Sequence, residues 1–192
     1  MFTSFNHHRG LTIFGVSLLY DETAESFKWL FESFLVAHAD KMPKTFFTNQ
    51  DLAMAKALNE VMPNTYQRLC TWHIMQNGIK HLENLMKDGS SFLQVFKIYT
   101  FDYNDKIEFE KTWEDMIDTY AIHDRSWLVS IYKLKRKWAK CYMNNEFTLG
   151  VRSTQLNKSL IGDLKDYLKF DFNGDSFKHF NRVVEQKRQR EL

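Results

Sequence analysis

Four clusters of side chains in this chain have residue types that could do chemistry. The stretch Phe47-Thr48-Asn49-Gln50-Asp51 falls where a short apolar run gives way to a helical pattern. Polar groups just beyond the carboxyl end of a strand are where α/β sheets bind ligands, and a carboxylate there can hold a metal. Asn49 is an amide, however, and suits the N-cap of the following helix, with Asp51 complementing its dipole. Cys70-Thr71-Trp72-His73 has the Cys-x-x-His spacing of half a zinc site. Cys141 is isolated, and His81 and His123 have no partner at ligand spacing, so no second half is visible. Cys70 is therefore expected to end a buried strand, with His73 capping or packing at the next helix. His7 and His8 are adjacent and would point to opposite sides of a strand, so they are expected at a turn or edge. The fourth cluster is the run 131–140, where Lys133, Lys135, Arg136, Lys137 and Lys140 alternate with Tyr132 and Trp138 and no acid intervenes. On one helix Lys133, Arg136, Lys137 and Lys140 would share a face. That face suits either nucleic-acid phosphates or the acids of residues 105–118.

The whole composition narrows these options. The 192 residues are 44% hydrophobic and 16% aromatic, with 17 Phe and 5 Trp, enough to bury a core and too apolar for a disordered chain. Only 7 Gly and 2 Pro favour helices over a many-turned sandwich. With 26 Lys+Arg against 24 Asp+Glu, the net charge of +2 announces no polyanion partner, and any basic surface must be local. Two Cys exclude a disulfide scaffold and fit a reducing compartment. No apolar run approaches the length of a membrane span, and the first ten residues lack a leader pattern, so no membrane partner is expected.

The elements that must position these residues follow from periodicity. Residues 11–20 form an apolar, β-rich run and predict a buried strand, with residues 2–6 the end of a preceding strand and a turn between Asn6 and Gly10. Asp21 or Thr23 caps a helix whose apolar stripe is Phe27, Leu30, Phe31, Phe34 and Leu35. Strands at 45–48 and 65–70 flank a helix over 51–61, which predicts parallel pairing in one α/β sheet built from 11–20, 45–48 and 65–70. From Trp72 onward the pattern is helical, over about 72–87, 90–99, 105–121, 125–143, 152–169 and 175–190. Residues 105–118 carry six acids, and the tail 178–192 is rich in Lys and Arg.

Four separated segments together resemble one family. FNHHRGLTIFGVSLLYDETAESFKWLFESFL (5–35), PKTFFTNQDLAMAKAL (43–58), MPNTYQRLCTWHIMQN (62–77) and FTLGVRSTQLNKSL (147–160) are similar to the Mutator-like element (MULE) transposase domain of the plant far-red-impaired-response family of transposase-derived transcription regulators. The resemblance implies an α/β, RNase H-like core, incomplete because its first strand would precede residue 1, with a large helical insertion and a helical C-terminal half. It implies one truncated transposase-like domain over 1–192, divided into an α/β core (1–70), an insertion (71–150) and C-terminal helices (151–192).

In the ancestral transposases three acids hold two divalent metals. The first would lie on the strand before residue 1. The second belongs to a Thr-Asp-Gln-Asp-like motif that here reads Thr48-Asn49-Gln50-Asp51, and the third to a motif that here reads Ser153-Thr154-Gln155-Leu156-Asn157-Lys158-Ser159. The resemblance thus implies a degenerate site at Asn49 and Lys158, not an enzyme, with Asp51, Cys70, Trp72 and His73 as motif remnants. Asn49 and Lys158 are expected to lie close together at one end of the sheet. No cofactor is expected: the metal site would be lost and the family's zinc modules fall outside these residues. The implied role is nuclear, in transcription regulation, with protein partners and weak, sequence-independent DNA contacts, and with no small-molecule substrate. The alternatives are an active metal-dependent nuclease or transposase and a non-functional gene fragment.

Overall fold

The computed structural model describes residues 1–144, apart from 7, 9, 84, 88 and 124, together with Arg182 and Glu185. The chain opens with a hairpin, β1 (Phe2–Phe5) and β2 (Leu11–Gly15), paired antiparallel with Phe5 opposite Leu11 and Phe2 opposite Gly15. Asn6 organises its turn. The backbone N–H of Asn6 donates to the Gly10 carbonyl at 2.9 Å, and its Oδ1 accepts from the N–H groups of His8 (3.0 Å) and Gly10 (2.8 Å). A Cβ at Gly10 would sit 3.0 Å from the Asn6 amide nitrogen, so the turn leaves little room there for a larger residue.

Helix α1 (Ala24–Ala37) starts where its cap chemistry dictates. Thr23 Oγ1 accepts from the Ser26 N–H at 3.2 Å, while Asp21 Oδ1 accepts from the hydroxyls of Thr23 (2.9 Å) and Ser26 (2.5 Å). Both expected capping residues thus contribute, Thr23 directly and Asp21 as its brace. Phe27, Phe31 and Leu35, one turn apart, form the buried stripe. Strand β3 (Thr45–Thr48), helix α2 (Leu52–Val61) and strand β4 (Tyr66–Leu69) follow as a parallel β-α-β unit, with Thr45 opposite Tyr66 and Thr48 opposite Leu69. Helices α1 and α2 pack on each other over a first core of Phe2, Phe27, Phe31, Leu35, Ala57, Leu58 and Met62.

A second core is helical. It gathers residues from α3 (Thr71–Leu82), α4 (Ser91–Phe101), α5 (Lys106–Thr119) and α6 (Ser126–Lys133), followed by 3-10 turns at Lys135–Lys137 and Lys140–Tyr142. Its centre is aromatic. Trp113 meets Tyr132 at 5.2 Å, Tyr99 edge-on at 5.3 Å, Phe109 at 5.8 Å and Trp138 at 6.1 Å between ring centroids. Gly78 lets α3 approach this core, since a Cβ there would lie 2.6 Å from Met86 Cε and 3.0 Å from Trp127 Cη2. Leu69 of β4 belongs to this second core, which joins the two units.

Four sequence expectations are corrected. Among the described residues the expected single sheet is two two-stranded sheets, β1–β2 and β3–β4. They are joined through side chains, with Phe2 of β1 meeting Phe46 of β3 edge-on at 5.8 Å. The strand expected over 11–20 stops at Gly15, because Gly15 already pairs with Phe2 and residues 16–20 run past that partner. The helix expected over 125–143 ends at Lys133. There the Ile131 carbonyl, which would accept the next helical N–H, instead takes the Leu134 N–H at 3.0 Å and the Trp138 indole Nε1–H at 2.8 Å. Burying Trp138 completely therefore bends the chain out of the helix. The helix expected over 72–87 likewise ends early, at Leu82. The segments expected as helices at 152–169 and 175–190 lie outside the described residues, save that Arg182 and Glu185 are helical and exposed.

Candidate functional site

The β3–α2 junction is built by hydrogen bonds within a few residues. Thr48, 4% exposed, donates its hydroxyl to the Asn49 carbonyl at 2.8 Å. Asn49 Oδ1 accepts from the Asp51 N–H at 3.2 Å, an Asx-type turn. Asp51 Oδ1 then accepts from the Met54 N–H at 2.7 Å, so the N-cap of α2 is Asp51 and not Asn49. This corrects the expected assignment of roles. The Asn49 side-chain amide forms the turn, and the Asp51 carboxylate takes the cap because it lies at the spacing that reaches the first orphan N–H groups.

Longer bonds tie the junction to the rest of the molecule. Gln50 Oε1 accepts from Asn77 Nδ2 of α3 at 2.5 Å. Gln67 of β4 donates from Nε2 to Thr48 Oγ1 at 3.0 Å, while its Oε1 accepts from Lys137 Nζ at 2.5 Å. One amide thus links the end of β3 to the basic run. Beside it, Arg68, 7% exposed, donates to the Arg136 carbonyl at 2.9 Å and lies over the Tyr66 ring at 5.7 Å. Burial, and then the positive charge of Arg68, pull the Lys137 ammonium below its ordinary pKa. Gln67, Arg68 and Asn77 were not singled out from the sequence. The only signal was a Gln-Arg pair inside an otherwise apolar strand segment.

The motif remnants sit around this junction. Cys70, fully buried, follows β4 and donates its backbone N–H to the Thr48 carbonyl at 2.8 Å. His73 lies in the first turn of α3, its ring meeting that of Trp72 edge-on at 4.8 Å, and among the described residues its buried Nδ1 has no hydrogen-bond partner. Among the described residues no three His, Cys, Asp or Glu side chains group closely enough to hold a metal. Lys158, and with it the expected closeness of Asn49 and Lys158, lies outside the described residues, as does His7.

The four basic candidates do not share a helix face, which corrects the expectation for 131–140. Lys133 ends α6, Arg136 and Lys137 lie in the first 3-10 turn, and Lys140 opens the second. Lys137 is half-buried on Gln67, whereas Lys133 and Arg136 are exposed. Among the described residues none of the four makes an ion pair. The base that meets the acidic helix is Lys135. Its Nζ lies 2.9 Å from Glu110 Oε1 and 3.8 Å from the centre of the Tyr132 ring. Glu110 also accepts from the Tyr142 hydroxyl, and these two bonds hold its carboxyl below the usual range. Two further acids of α5 meet Arg125, which pairs with Asp118 at 2.9 Å and Glu114 at 3.9 Å. No described helix is long and apolar enough to cross a membrane.

Residues 1–77 match the MULE transposase domain family. The chain is 31% identical over 150 residues to Protein FAR1-RELATED SEQUENCE 7 of Arabidopsis thaliana, covering 78% of this chain and 19% of the relative. It is 27% identical over 168 residues to Protein FAR-RED IMPAIRED RESPONSE 1, covering 88% of this chain and 20% of the relative, and 28% identical over its full length to Protein FAR1-RELATED SEQUENCE 5, covering 24% of that protein; both are from the same plant. The chain therefore spans about a fifth to a quarter of the length of these relatives. No solved structure matches it. Over its first 77 residues the chain is a MULE transposase domain, and across most of its length it is a member of the far-red-impaired-response group of plant proteins.

Proposed function

We propose that this chain is a transposase-derived domain that has lost strand cleavage and serves a nuclear transcription regulator, contacting DNA weakly and other proteins more specifically. The observation that carries the reading is the β3–α2 junction. Two-metal phosphoryl chemistry needs anionic oxygens that hold two dications about 3.5–4 Å apart. Asn49 offers one neutral oxygen, and the Asp51 N–H already occupies it. The Asp51 carboxylate caps α2. Lys158, at the family's third acidic position, would add a positive charge where the dications belong. The RNase H-like reading draws support from strand order, an antiparallel hairpin and a helix followed by a parallel β-α-β unit.

The exposed cations Lys133 and Arg136, with Lys140 and the half-buried Lys137, form the surface for DNA. Such contacts fix position on a duplex without reading bases, and the net charge of +2 gives no wider attraction. A single experiment tests both halves of the proposal: a labelled duplex is titrated with purified protein in magnesium or manganese, at rising salt, and both binding and nicking are read. The expected result is weak, sequence-independent binding that fades with salt, is abolished by Arg136→Glu with Lys140→Glu, and is accompanied by no nicks. Cleavage that co-purifies with the chain and vanishes in Asp51→Asn would overturn the proposal, since that substitution keeps the helix cap and removes only the charge.

A further inference from the structure

Well away from the junction in sequence, residues 18–29 form an open groove of about 420 Å³ lined by Leu18, Leu19, Tyr20, Glu25, Ser26 and Trp29. Its aromatic members are unusually uncovered. Tyr20 is fully exposed and Trp29 is 55% exposed, beside a half-exposed Leu18. Single exposed apolar residues are ordinary, but here they line one concavity. The stretch that builds it is net acidic, and Glu25 lines it. Asp21, Glu22 and Glu25 are exposed, against the single base Lys28 in the stretch 21–29.

We propose that this groove docks a lysine- or arginine-bearing segment of a partner protein. The aliphatic stem would lie along Leu18 and Leu19, as long basic side chains do on apolar surfaces. The cation would sit over the Trp29 face, the strongest ring for such contacts, within reach of the Glu25 carboxylate. The acids argue against the other occupants. Nucleic-acid phosphates are repelled from this side, which separates it from the basic residues 133–140. A second copy meeting groove to groove would bring Asp21, Glu22 and Glu25 against their own counterparts, a like-charge contact that costs affinity.

The test uses the full chain and a short lysine-rich peptide, followed through the indole N–H resonance of Trp29, which is assigned by its loss in Trp29→Leu. The expected result is a saturable shift at low salt. A peptide with norleucine in place of lysine should fail to bind. Affinity, read from backbone amides, should fall by about five- to tenfold in Trp29→Leu, the range a partly exposed cation–aromatic contact allows. Glu25→Gln should weaken binding and flatten its salt dependence. Both positions are solvent-facing, so the fold is retained. Equal binding of the norleucine peptide, no shift at millimolar peptide, or affinity unchanged in both variants would overturn the proposal. So would concentration-dependent dimerisation that Trp29→Leu abolishes, which would make a second copy the occupant.

Discussion

The two cores of this molecule are built by different means. The first, under α1 and α2, is small and depends on its edges: a turn set by Asn6, a cap at Thr23 and a cap at Asp51. Among the described residues its sheets have two strands each, less than a sheet needs to stand alone, so the helices supply their stability. The second core is a continuous lattice of aromatic rings in which Trp113, Trp138, Phe92, Phe96 and Phe109 are almost wholly buried. The candidate site belongs to the first unit, but its outer bonds, Gln67 to Lys137 and Arg68 to the Arg136 carbonyl, reach the second. The difference teaches where change is tolerated. A junction built from caps and turns can change its side chains while the ring lattice goes on holding the domain together.

The comparison can be broken most severely from the helical side. Trp113→Ala removes a ring that touches Tyr99, Phe109, Tyr132 and Trp138, and should cost about 5 kcal/mol, the upper end for a buried Trp or Phe. Phe31→Ala in the smaller core should cost about 3 kcal/mol, the lower end. Urea denaturation of both variants checks the order, and a larger loss for Phe31→Ala would invert the account.

A smaller effect sharpens the reading of the junction. Asp51→Ala should cost about 1 kcal/mol, the usual value of an N-cap, while Asp51→Asn should cost little because an amide oxygen also caps. Thermal melts compare the two. An equal loss in both would mean that charge, not the cap, is what Asp51 contributes.

The smallest expected effect is a pH dependence in the second unit. The Tyr142 and Lys135 bonds depress the Glu110 pKa in the fold, so the unfolded chain binds the proton more tightly. The stabilisation is fully present above the ordinary Glu value of about 4.3 and is lost as pH falls through the lower folded value. Glu110→Gln should flatten that part of the stability-against-pH curve by lowering the neutral plateau slightly toward the acid value, which itself stays nearly unchanged. An acid limb of unchanged steepness would remove Glu110 from the account.

Much of this was legible before the structure, for physical reasons that also explain what was not. The α1 stripe and the Thr23 and Asp21 cap are local patterns, and the parallel pairing of β3 with β4 follows from a single intervening helix. Short strands say nothing of which edges meet, so the division into two sheets was hidden. The early end of α6 depends on where the Trp138 indole finds its acceptor, a tertiary matter. At the site, Asn49 and Asp51 were identified but their roles were exchanged, because both residue types cap helices and only the geometry chooses. The bridge from Thr48 through Gln67 to Lys137 joins positions 19 and 70 residues apart, beyond any local pattern.

The central claim is that the β3–α2 junction is a helix cap and not a metal site. Manganese titration of isotope-labelled chain, read by paramagnetic broadening of backbone amides, tests it most directly. The account predicts no selective, saturable broadening at Thr48, Asn49, Gln50 and Asp51 beyond what exposed acids such as Glu114 and Asp118 show. Selective broadening centred on Asn49 and Asp51 at low manganese, abolished by Asp51→Asn, would contradict it.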